Sequence, residues 1–445
     1  MPVRQIPKFL LVTLLIGGVL VPAAVAGAGP GPVCDGIVYN PDDPTHVLYP
    51  SDPQPVGSLG TMFVDLRNVD GGRVVFWSGD FTPGTSGATI LGSQFDDRLC
   101  GTTGRDDFEG QGGNDRIFGG GNTGTAFNHD THEGGERLFG NDGNDFIVNE
   151  PGSPAARLGG GPGDDVLYAA GGADLLLGGA GNDTLYAGAG DGQVLKGQNH
   201  HDLLIGGSGS DQVLTGNRGN DTLVGGSGDR QILRGRVGDD TITGGSGQGQ
   251  QLNGAGGADN IVGGAGADQA LRGKKGSDNL TAGTGVGQRL SGGPQSDVIT
   301  GLGGGAGQLA EGGGAADTIA GSPTGTGFTG FGEDGHDTIL GGPGDDLLHG
   351  GEKDDWIEGG AGLDQIHGDG GDDTMFGANL DIATGLGTGD GADDVLAGGT
   401  GDDTYYGDQS CSDRDVATDV AESSADVANH TVDNTGIETV IEPCA

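Results

Sequence analysis

Aspartate recurs along this chain on a period that leaves little choice of architecture. Asp165, Asp183, Asp202, Asp221, Asp240, Asp259, Asp278, Asp297 and Asp317 follow one another at spacings of 18, 19 or 20 residues. Each closes a glycine-rich loop, as in Gly178-Gly-Ala-Gly-Asn-Asp183 or Gly216-Asn-Arg-Gly-Asn-Asp221, and each is followed two residues later by Leu or Ile. A unit that holds one tight turn and one short strand cannot bury its own apolar side, so such units must stack. Within the strand, alternation turns the aliphatic residue inward and its neighbours outward. Two units make one turn of a flattened helix, which places loops about 18 residues apart above one another. The pattern predicts an all-β fold: a parallel β-roll or β-helix solenoid of about sixteen coils, with short N- and C-terminal caps.

Composition says what such a stack needs. The 445 residues include 103 Gly and 18 Pro, only 5% are aromatic, and the net charge is −44. Without a period this would describe disorder, because too little apolar surface is available to offset ordering entropy and self-repulsion. A divalent cation relieves both deficits. Calcium takes six to eight hard oxygen ligands, chiefly carboxylates and backbone carbonyls. Glycine lets the backbone turn tightly enough to aim carbonyls at one spot, and the aspartate adds a charged oxygen. Because the acids are periodic rather than clustered, they read as a calcium file and not as a solvated tail. The same acidity argues against a nucleic-acid partner.

Loop and strand together give the nonapeptide G-G-x-G-x-D-x-U-x, and the chain resembles the RTX, or hemolysin-type calcium-binding repeat, family. The resemblance implies that each ion is shared between two stacked loops. Candidate ligands on one edge are Asp97, Asp115 and Asp145, the nine aspartates above, then Asp337, Asp355, Asp373 and Asp394. The opposite edge carries Asp106, Asp174, Asp346, Asp364 and Asp403, with Glu136 in an equivalent place. Insertions at 119–135, 149–158, 321–331 and 377–388 fall on that second edge.

Between Ala187 and the 300s the second edge changes character. Its strands open with Gln193-Val-Leu195, Gln212-Val-Leu214, Gln231-Ile-Leu233, Gln250-Gln-Leu252, Gln269-Ala-Leu271 and Gln288-Arg-Leu290, all in 19-residue register. Registered on the inward Leu, each Gln holds the place of an Asp. An amide is a weak calcium ligand, but stacked amides can hydrogen-bond from coil to coil. The expectation is a neutral amide ladder opposite a carboxylate file.

Residues 1–26 read as a secretory signal peptide: Arg4 and Lys8, the apolar run Phe9 to Val21, then Ala24-Val25-Ala26. The run is too short to span a bilayer comfortably, and no other apolar stretch could, so no membrane span is expected in the mature chain. Segments 27–90 and 407–445 are expected to cap the solenoid at 91–406. Cysteines in an exported chain favour disulfides. Cys34, Cys100, Cys411 and Cys444 allow three pairings, of which the two local ones would each tie an end.

Other chemistry is sparse. His129-Asp-Thr-His132-Glu133 lacks the helical H-E-x-x-H spacing and reads as a polar loop. His200 and His201 stand where a turn glycine is usual. There is no nucleophile elbow, P-loop or Ser/His/Asp set, and the segments outside the repeats are too small for a protease or lipase domain. The outward Thr and Val of the strands after the aspartates would suit an ice-binding face, though β-propensity favours the same residues. The expected protein is an exported, non-enzymatic calcium-binding repeat module with a structural or adhesive role. Calcium ions and a cell-wall or matrix polysaccharide are its expected partners. The alternative is a calcium-dependent enzyme or accessory module acting on an extracellular polysaccharide.

Overall fold

A computed structural model describes residues 88–100, 106–119, 136–149, 155–378, 394–400 and 403–406, with isolated short strands outside these ranges. Every described element is a strand, turn or bend. The residues fall into two units, Met1–Pro41 and Asp42–Ala445. In the first, Thr13–Ile16 pairs with Val19–Pro22 as a short antiparallel hairpin. The signal-peptide reading otherwise lies outside the described residues there.

From Asp107 to Thr281 the second unit alternates long strands of six residues with short ones of three, between Thr338 and Ala378 the short kind lengthens to five or six, and each kind stacks in parallel with its own. Thr184–Tyr186 pairs with Leu203–Ile205, which pairs with Thr222–Val224. Leu175–Ala180 pairs with Val194–Asn199, which pairs with Val213–Arg218. Two parallel sheets therefore face each other across a core one side chain deep from each side. The inward residue of each short strand (Leu185, Leu204, Leu223, Ile242) and of each long strand (Leu195, Leu214, Leu233, Leu252) is fully buried. These are the aliphatic positions that alternation assigns inward.

About fourteen turns follow without an intervening element, from the pair Asp107–Gly112/Arg116–Phe118 to Gln365–Gly370/Thr374–Ala378. This is slightly short of the sixteen coils expected. One further turn at each side pairs in parallel with this run: Ala88–Leu91 with Arg98–Cys100 before it, and Val395–Thr400 with Thr404–Tyr406 after the insertion. Parallel pairing also continues into the expected caps, through Met62–Asp65 and Val74–Val75 before the body and Val416–Thr418 and Val427–Asn429 after it. The cysteine side chains and the His129 to Glu133 loop lie outside the described residues. No helix among the described residues is long and apolar enough to cross a membrane.

Candidate metal centre

Each short strand begins immediately after a file aspartate, and the carboxyl of that aspartate ties two coils together. The backbone N–H of Asp183 donates to Asp202 Oδ1 at 2.8 Å, that of Asp202 to Asp221 Oδ1 at 2.8 Å, and that of Asp221 to Asp240 Oδ1 at 2.8 Å. The same bond links every successive pair, from Asp97 with Asp115 to Asp373 with Asp403. Apart from Asp97, whose Oδ2 accepts from Ser93 N–H and Oγ, each carboxyl of the file thus spends one oxygen on the neighbouring coil.

The other oxygen has no such use. Oδ2 of Asp115, Asp145, Asp165, Asp183, Asp202, Asp221, Asp240, Asp259, Asp278, Asp297, Asp317, Asp337, Asp346, Asp355 and Asp373 is buried with no hydrogen-bond donor. Buried polar atoms are almost always satisfied, so a whole row left over in one geometry points to a missing positive partner. Each Oδ2 lies over the glycine five residues earlier. A methyl group on Gly312 would sit 2.6 Å from Asp317 Oδ2 and 2.8 Å from the carbonyl oxygen of Gly332 in the next coil. Carboxylate and carbonyl oxygens converge where only glycine leaves room, which is the donor chemistry calcium requires. The residues fit the ion.

The energetics agree. Burial pushes the carboxyls up from 3.8, to about 8 at Asp115, Asp183 and Asp355, and to about 7 at Asp145, Asp202, Asp240, Asp317 and Asp373. The backbone N–H bond pulls each one partly back, and neighbouring carboxylates in the file add to the rise. An anion held in this place needs a proton or a cation.

The structure exchanges two members between edges. Asp394 precedes a long strand and receives the N–H of Asp364, so it stacks with Asp346 and Asp364. Asp403 precedes a short strand and receives the N–H of Asp373, so it ends the main file. The insertion between Ala378 and Asp394 hides the half-turn count, because it shifts both positions by the same amount. Asp106 and Glu136 precede long strands and are buried on the second edge, as expected. His200 takes φ 75°, so the turn at Asp202 forms without glycine, and its coil-to-coil bond is kept.

Asp174 differs from the rest of its edge. Its Oδ1 accepts from Ala156 N–H and Asn149 Nδ2, and its Oδ2 from Ala170 N–H and Gln193 Nε2. Its lone pairs are occupied by the protein itself, as the foot of the glutamine ladder. Above it, Gln212 Oε1 accepts from Gly207 N–H, while its Nε2 donates to Gly188 O, Gly190 O and Gln193 Oε1 at 2.9–3.0 Å. Gln231, Gln250, Gln269 and Gln288 repeat the set. The amide nitrogen collects two carbonyls and an amide oxygen from the coil before, filling with protein the kind of oxygen nest that the other edge leaves open. A seventh member, Gln308, was not legible from spacing: it follows Gln288 by 20 residues and precedes Leu309-Ala310 in place of an inward Leu.

One cluster has a different ligand chemistry. His349, His367 and Asp369 bring ligand atoms within 4.8 Å of one another on the outward side of the long-strand sheet. The two imidazoles stack at 4.5 Å, and His349 Nδ1 meets Asp369 Oδ2 at 2.9 Å. Imidazole suits transition metals rather than calcium, so this group stands outside the repeat chemistry.

Fold and loops define a parallel β-solenoid that stacks glycine–aspartate turns as oxygen-donor nests. The chain belongs to the family of RTX calcium-binding nonapeptide repeats, which matches residues 91–126, 130–148, 159–194, 194–213, 230–248, 251–270, 329–352, 349–379 and 387–409. It is a calcium-binding repeat protein. No curated protein matches the chain.

Proposed function

We propose that calcium binds along the main aspartate file and converts an exported polyanion into a rigid, non-enzymatic extracellular solenoid with a structural or adhesive role. The unpartnered buried Oδ2 row carries this reading. Ligands are Asp97, Asp115, Asp145, Asp165, Asp183, Asp202, Asp221, Asp240, Asp259, Asp278, Asp297, Asp317, Asp337, Asp355, Asp373 and Asp403, with carbonyls of the loop glycines. On the second edge Asp346, Asp364 and Asp394 form a shorter ligand set, and Asp106 is a further ligand near the start. Segments 27–90 and 407–445 close the two ends, and 1–26 directs export.

The calcium supplies the charge that the buried carboxylates lack, and the chain supplies preformed turns and one inter-coil bond per aspartate. Because each carboxyl touches two coils, order gained at one loop favours the next. The test is circular dichroism and small-angle scattering of residues 27–445. Chelator at pH 7 should give a coil-like, expanded chain; millimolar calcium should give β-signal and compaction, and magnesium should act poorly because it prefers small octahedral sites. Full β-structure in excess chelator at that pH sinks the reading.

A further inference from the structure

One face of the solenoid reverses the charge of the protein. The six long strands Val194–Asn199, Val213–Arg218, Ile232–Val237, Gln251–Gly256, Ala270–Lys275 and Arg289–Gly293 carry Lys196, Arg218, Arg234, Arg236, Arg272, Lys274, Lys275 and Arg289, and no acid. That is eight of the chain's 20 basic residues on one sheet, against a net charge of −44. All are exposed except Arg234, which is half-buried. Among the described residues none joins an ion pair. Register puts Lys196, Arg234 and Arg272 in one row, alternating with Thr215 and Asn253. Arg236 and Lys274 lie in a second row, Arg218 and Lys275 in a third.

This is not the background of the sheet. The next four long strands carry Glu311, Glu333, Asp334, Glu352 and Asp369 and no Lys or Arg. On the other side of the same coils, Leu203–Ile205, Thr222–Val224, Thr241–Thr243, Asn260–Val262 and Asn279–Thr281 are uncharged. A field of cations on strands about 4.8 Å apart, recurring on every second strand in the row of Lys196, Arg234 and Arg272, matches a linear polymer that carries anions along its length.

We propose that this face docks a linear anionic polysaccharide, one bearing carboxylate or sulfate groups along its chain. The proposal rests on the calcium-loaded extracellular solenoid argued above and names its partner. No aromatic side chain lies on the six strands, so the stacking platform that single-stranded nucleic acid uses is missing. A second copy offering its acidic rows would set five charges against eight and leave basic charge unanswered. Exposed loop acids, Asp191, Asp229 and Asp268 beside the glutamines and Asp239 beside the file, border the face. The buried file behind them adds to the negative field until calcium neutralises it, so docking requires the calcium-loaded form.

The experiment uses the calcium-loaded chain, residues 27–445, over immobilised dextran sulfate, neutral dextran of equal length, and duplex DNA at matched charge. Dextran sulfate should be bound and dextran not, with at least about tenfold weaker binding on raising salt from about 50 to 500 mM. The variant Arg234→Gln/Arg236→Gln/Arg272→Gln/Lys274→Gln should lose at least about tenfold, while Lys353→Gln, outside the face, should match the parent. Equal binding by the fourfold variant overturns the proposal. So does tighter capture of DNA, or a salt-sensitive dimer that excludes the polymer. Calcium uptake and β-signal are recorded on every sample. A parent that folds with calcium yet ignores dextran sulfate defeats the docking face alone, whereas one that never takes up calcium defeats the underlying reading.

Discussion

A single aspartate in this fold does two jobs with two oxygens, and they can be separated chemically. Asp240 Oδ1 receives the Asp221 N–H at 2.8 Å, while Oδ2 is buried without a donor. Asp240→Asn keeps the first and replaces the second with an amide nitrogen, the arrangement that the glutamines use on the other edge. With calcium present, losing the charged ligand should raise the calcium midpoint and cost about 1–3 kcal/mol. In chelator the sign should reverse. A neutral amide needs no proton when buried, so the variant should keep β-structure to higher pH than the parent. A variant that matches the parent under both conditions would show that Asp240 serves only the inter-coil bond. The position of Asp240 was legible because carboxylate chemistry repeats in the sequence. Its division of labour was not, because spacing says nothing about which oxygen faces which coil.

The strands and loops form two edges with different relations to metal. Along 187–311 the main edge holds open carboxylate nests, whereas the glutamine edge is closed by its own amides. A calcium count by native mass spectrometry on fragments covering 187–311 and 329–406 should give about half as many ions per coil in the first. Gln231→Glu should be far more damaging than its size suggests. It removes the donor shared by Gly207 O, Gly209 O and Gln212 Oε1 and buries a charge beside them. The expected loss is about 3–5 kcal/mol. Equal calcium per coil in the two fragments, or a silent Gln231→Glu, would remove the ladder from the account. The ladder itself was readable because Gln recurs in the register of the inward Leu. Gln308, Asp394 and Asp403 were misjudged or missed where a loop changes length, since an insertion leaves the residue types intact and destroys the count. Pairing across the insertion, not spacing, identifies the partners.

At the scale of the molecule the solenoid stores its requirement for cation as a set of misplaced protons. Asp165 and Asp221 sit at about 6 and Asp183 and Asp355 at about 8 when folded, against about 3.8 when the chain is open. Between those values the folded chain binds more protons than the unfolded one, so metal-free stability is greatest at low pH and is lost as pH rises through 4 to 8. General repulsion in a chain of net charge −44 acts in the same direction. Calcium binding, which needs the carboxylates ionised, has the opposite slope and must release protons. In chelator, β-signal should therefore appear on acidification to about pH 5, above the isoelectric point of about 4.1, and vanish by pH 8. Calcium added at pH 7 should release protons in a pH-stat, and the calcium midpoint should fall as pH rises. Neutralising acids away from the file, for example the half-buried Glu311 and the exposed Glu352 as Glu311→Gln/Glu352→Gln, should leave proton release unchanged. Replacing Asp221, Asp240 and Asp259 by Asn should lower it, and equal release from the two sets of variants would place the protons, and with them the metal, somewhere other than the aspartate file.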